Sequence, residues 1–102
     1  MTLEEIEREL RAAIEEAVSD GWSIDRGSMF PGDKKCCALG AVVRGTPKKT
    51  DNDAFYAAIR RLGMSSNQGT ALARAFDGLK TNIDDDKAFS DLGRRLAADY
   101  VK

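Results

Sequence analysis

Cys36 and Cys37 stand side by side behind Lys34 and Lys35 and are the strongest nucleophiles the chain offers. A thiol attacks, exchanges electrons or binds a metal as the thiolate, and neighbouring lysines favour that form. The spacing argues against each use. A vicinal pair closes only a strained ring, thioredoxin-like exchange needs a two-residue spacer, and two sulfurs are half of a zinc site. The sequence contains no histidine, which removes imaginable Ser-His and Cys-His pairs, imidazole bases and imidazole ligands together. The cysteines open the apolar run Cys36-Cys37-Ala38-Leu39-Gly40-Ala41-Val42-Val43, where small buried hydrophobes are the expected role.

Other chemical groupings fare no better. Taking Asn82, Asp84 and Asp86 as the first ligands of a calcium loop puts Lys87 where the loop glycine belongs and Gly93 where the bidentate glutamate belongs. Helix capping accounts for these aspartates instead. Phosphate-cradling glycine spacing is absent. The chain is therefore expected to be no enzyme and to carry no cofactor or metal.

Two stretches have the composition of a binding surface. Arg26, Lys34, Lys35, Arg44, Lys48 and Lys49 surround Trp22, Met29 and Phe30, a mixture suited to docking an acidic protein or a nucleic acid. The plainer alternatives are that the charges solvate loops while Trp22 fills the core, or that they lie against the first helix. That helix is strongly acidic: residues 1–20 hold seven acids and two bases, whereas residues 21–50 hold two acids and six bases. The formal net charge of −1 hides this division. The second stretch, residues 54–78, has helix, Leu62-Gly63-Met64-Ser65, helix, in the manner of a helix-turn-helix. Asn67, Gln68, Thr70 and Arg74 could then read a duplex. However, Ile59 and Gly69 reverse the large and small positions such a motif prefers, and a sequence pI near 5.4 lacks a basic footprint. An ordinary pair of core helices is the stronger expectation.

The elements that would position these residues follow from capping and periodicity. Thr2 and Glu5 form a capping box for a helix over residues 3–19, with Leu3, Ile6, Leu10, Ala13, Ile14, Ala17 and Val18 at helical spacing and Gly21 after its end. Residues 22–26 alternate like a short strand. Residues 36–43 read as a short buried helix, or as a strand paired with 22–26. Asp51 or Asp53 is expected to cap a helix ending at Gly63, and Ser65 with Gln68 caps another reaching Gly78. Asp84-Asp85-Asp86 precede a last helix lined by Phe89, Leu92, Leu96 and Tyr100. Residues 1–102 are thus expected to be a single, mainly α domain of four to five short helices, with a small β-hairpin in 22–43 as the α+β alternative.

The chain starts with an acidic, amphipathic segment where a secretory leader needs positive charge, and no apolar run approaches the ~18–20 residues that cross a bilayer. A cytoplasmic location without membrane contact is expected. At Gly21-Trp22, Cys37-Ala38-Leu39-Gly40-Ala41 and Ala75-Phe76-Asp77-Gly78 the chain resembles small bacterial and phage-borne domains with a Gly-Trp turn, a Cys-Ala-Leu-Gly-Ala run and two or three amphipathic helices. The Trp-Asn-Asp turn that ends some of them is missing. The resemblance implies a fold type and no chemistry. The functional expectation is an interaction or regulatory domain acting by protein–protein contact, with Trp22, Arg26, Met29, Phe30, Lys34, Lys35, Lys48 and Lys49 as candidate contacts. The alternative is a nucleic-acid-binding regulator using residues 54–78 and the basic segment 26–49.

Overall fold

Thr2 opens the first helix as its capping box requires, its hydroxyl accepting from the Glu5 N–H while the Glu5 carboxylate accepts from the Thr2 N–H. The computed structural model describes residues 1–27, 34–45, 50–80, 82 and 85–101, apart from the side chain of Asp51. In chain order the elements are α1 (Leu3–Ser19), β1 (Ser23–Ile24), β2 (Lys35–Cys36), α2 (Ala38–Val43), α3 (Asp51–Leu62), α4 (Ser66–Phe76) and α5 (Lys87–Tyr100). The protein is mainly helical with one small β element, as the patterning implies.

Helix α1 buries Ile6, Leu10, Ile14 and Ala17, a stripe at spacings of three and four. Val18 does not join it and is exposed, because one residue past Ala17 rotates the side chain about 100° away from the core. The segment 36–43 resolves both readings in part. Cys36 ends a strand, Cys37 caps a helix with its Sγ accepting from the Gly40 N–H at 3.4 Å, and Ala38–Val43 are helical. Five of those six helical residues are buried, so α2 is the central post against which α1 and α3 pack.

β1 and β2 pair in parallel, Ser23 opposite Lys35 and Ile24 opposite Cys36, with Asp25 N–H donating to the Cys36 carbonyl at 3.0 Å. The β element falls where it was expected but is no hairpin. Residues 25–34 separate the two strands, a longer link than the two to five residues of a tight antiparallel turn. Inward-facing Ile24 and Cys36 supply the core contacts.

Thr50, rather than Asp51 or Asp53, caps α3 by accepting from the Asp53 N–H. The helix ends at Gly63 in the left-handed region, φ 68°. Ser65 and Gln68 form the expected box on α4, and Asp86 caps α5. α3 meets α4 where a Cβ on Gly69 would collide with Cγ2 of Ile59 and lie 3.1 Å from the Phe55 ring. α5 lies against α4 at Gly93, where a Cβ would collide with the Leu72 carbonyl oxygen. A polar seam joins α5 to α1: Arg11 pairs with Glu7 and Asp99, Arg95 pairs with Glu7, and the Tyr100 hydroxyl donates to Glu15. No helix is long and apolar enough to cross a membrane among the described residues.

Candidate functional site: a groove walled by α1, α2 and α3

The outer face of α1, the end of α2 and the end of α3 enclose an open groove of about 710 Å³. Its first wall is α1, which contributes Glu9, Ala12, Ala13 and Glu16, continued by Asp20 beyond the helix. These positions share one edge because residues three and four apart on a helix are neighbours. The opposite wall is Ala41, Val42, Arg44 and Gly45 from α2 and its end, with Arg61 and Leu62 from α3. Trp22 lines the groove just after α1 turns at Gly21, half-buried and packed on the edge of the core. The aromatic ring is therefore neither a core filler nor a free surface group.

Arg44 joins the two walls, and Arg61 braces the far one. Arg44 reaches from the end of α2 to Glu16 at 3.2 Å and Asp20 at 3.0 Å and donates to the Ala41 carbonyl. This is the internal match between the basic middle and the acidic first helix that their opposite charges allow. Arg61 donates to the Val42 carbonyl at 2.6 Å, tying α3 to α2.

The remaining candidates are scattered. Arg26 is exposed and lies against Gly78 at the end of α4, where Gly27 N–H also donates to Asp77 at 2.7 Å. Lys34 and Lys35 are exposed beside and on β2, outside the groove. Met29, Phe30, Lys48 and Lys49 lie outside the described residues. On α4, Asn67 and Thr70 are exposed, but Gln68 is committed to its cap. Arg74 donates to the Lys80 carbonyl at 2.9 Å, and its Nε is buried without a described partner. Of the groove, sequence reasoning identified Trp22 and the charge of Arg44. It missed Glu9, Ala12, Glu16 and Asp20, whose one signal is their shared edge of α1 and its end, and Arg61 on α3, which had none.

Both cysteines are free and buried. Burial pushes the Cys36 thiol up to about 11 and the Cys37 thiol up to about 12. Both therefore stay protonated at neutral pH, which opposes nucleophilic use. Folded protein should react with an aromatic disulfide reagent only as fast as it unfolds, whereas urea should release two reactive thiols promptly. A raised folded pKa also fixes the direction of the alkaline response. Below about pH 8.5 folded and unfolded chains both keep these protons; above it the unfolded chain loses them first, so stability falls as pH rises, by up to about 1.4 kcal/mol per unit for each thiol. Cys37→Ser, which retains a capping oxygen without an ionisable thiol, should flatten that fall in urea midpoints measured from pH 8 to 11. No group of three or more Cys, Asp or Glu side chains is placed to hold a metal among the described residues.

No protein-family model, curated protein or solved structure matches the chain.

Proposed function

We propose that the chain is a non-enzymatic, cytoplasmic interaction domain that receives a segment of another protein in the groove beside Trp22. The observation that carries this reading is the half-buried Trp22 in the wall of an open groove that also presents Arg44 and Arg61. Tryptophan and arginine are the side chains on which binding energy concentrates at protein interfaces. A concave site with an aromatic wall and a few oriented polar groups is the usual form of a recognition pocket. Within the groove Arg44 engages Glu16, Asp20 and the backbone and Arg61 engages the backbone, an arrangement that orients and does not activate.

The alternative, a nucleic-acid-binding regulator, draws on the three-residue turn between α3 and α4 and on exposed Asn67 and Thr70. It has less support. Arg74 is the only base on α4, and one of its terminal nitrogens is spent on the Lys80 carbonyl. The domain should leave duplex DNA unshifted even at low salt, where phosphate contacts are strongest.

The test is site-specific photo-crosslinking in the source cell. A photoreactive residue in place of Ala12, in the groove, should yield an adduct of discrete mass. The same residue in place of Ala88, exposed on α5 outside the groove, should not. Equal labelling from both positions, or no adduct from position 12, would overturn the reading.

A further inference from the structure

We infer that the occupant of the groove is an amphipathic helical segment that carries Lys or Arg along the edge facing α1; this rests on the groove being the binding site. The two walls differ in charge. The α1 wall presents Glu9, Glu16 and Asp20, with Ala12 between the first two. Arg44 answers both Glu16 and Asp20, so one guanidinium serves two carboxylates on this wall, while Arg61 and Met1 line the groove elsewhere. Glu9 is exposed and forms no ion pair with any described residue. The acidic character of residues 1–20 thus becomes a row of carboxylates along one side of a binding groove.

The geometry suits a helix. Ala12 and Ala13 are the smallest side chains a helical wall can present short of glycine, and small residues let a second helix approach closely. An apolar edge of that helix would rest on these alanines, Val42 and Trp22, the helix-in-groove mode of recognition. Basic side chains on the neighbouring edge would reach Glu9 and the shared carboxylates. On the far wall, Arg61 has one nitrogen on the Val42 carbonyl, and its other N–H groups can meet a carboxylate or carbonyl of the occupant.

The experiment selects peptides of about 15 residues, long enough for about four helical turns, from a random phage-displayed library against the intact domain. Enriched peptides lacking tryptophan are then titrated while the emission of Trp22, the only tryptophan, is followed. The expected result is a set with apolar residues at helical spacing and Lys or Arg along one neighbouring edge. Its members should shift the Trp22 emission and lose affinity as salt rises. Glu9→Lys, at an exposed position that the fold does not use, should weaken them about tenfold. An enriched set without a basic edge, indifference to Glu9→Lys, absence of any enrichment, or a Trp22 response to duplex DNA would each overturn the inference. Crosslinking from position 12 distinguishes the two failures. If a discrete adduct still forms there, the groove remains the binding site and only the charge of its occupant is wrong.

Discussion

Gly93→Ala should lower stability by about 3 kcal/mol, visible as a fall of more than about 10 °C in Tm for a domain of this size. The added Cβ would collide with the Leu72 carbonyl oxygen and sit 3.0 Å from the Phe76 nitrogen and 3.1 Å from the Ala75 Cβ. Two of these three are backbone atoms of α4, which cannot rotate aside, so α5 must move away bodily. Separation would loosen Leu92 and Leu96 against Leu72 and Phe76, all of them buried in the core cluster. The direction is informative because helix propensity alone favours alanine over glycine by about 1 kcal/mol. Ala98→Gly, exposed on the same helix, supplies the matching control and should cost about that much. A Gly93→Ala protein more stable than the wild type would mean that α4 and α5 do not approach as described.

Ile59 and Gly69 should behave as one unit in a double-mutant cycle. Ile59→Ala removes a buried branched side chain and should cost about 2–4 kcal/mol. Gly69→Ala places a methyl on Ile59 Cγ2 and 3.1–3.2 Å from two Phe55 ring atoms, costing about 1–3 kcal/mol. In the double variant the new methyl enters space that Ile59 has vacated, so the combined loss should fall short of the sum by about 1–2 kcal/mol. Urea unfolding of the four proteins measures the coupling; strict additivity would contradict the contact. The same pair explains the reversed helix-turn-helix pattern. The small residue sits on α4 and the large one on α3, so the helices still close together with the roles exchanged.

The legible parts of the fold are those decided within a few residues. Thr2 with Glu5, and Ser65 with Gln68, specify helix starts because each cap is completed three residues away. Leu92 and Leu96 specify a buried face because period alone sets it. Thr50 prevailed over its neighbours Asp51 and Asp53 as a cap because all three side chains suit the role and only the backbone decides which residue is extended. The direction of the β1–β2 pairing depends on a connection whose path the alternation of residues 22–26 does not encode. The groove was the least legible. Glu9, Trp22, Arg44 and Arg61 come from separate elements, and nothing local in α1 distinguishes a polar edge facing solvent from one walling a cleft. The unequal charge of residues 1–20 and 21–50 gave the nearest signal, since one of its readings laid the basic segment against the first helix, where Arg44 meets Glu16 and Asp20.

The central claim is that Trp22 and the walls around it receive another protein. It is tested most directly by the indole N–H resonance of Trp22, the only tryptophan, in isotope-labelled domain titrated with the protein captured from position 12. Binding in the groove predicts that this resonance moves or broadens together with the backbone amides of Ala12, Ala13, Val42 and Arg61, while those of Asn67 and Thr70 stay in place. An unmoved indole, with the shifts gathered on α4, would contradict the account.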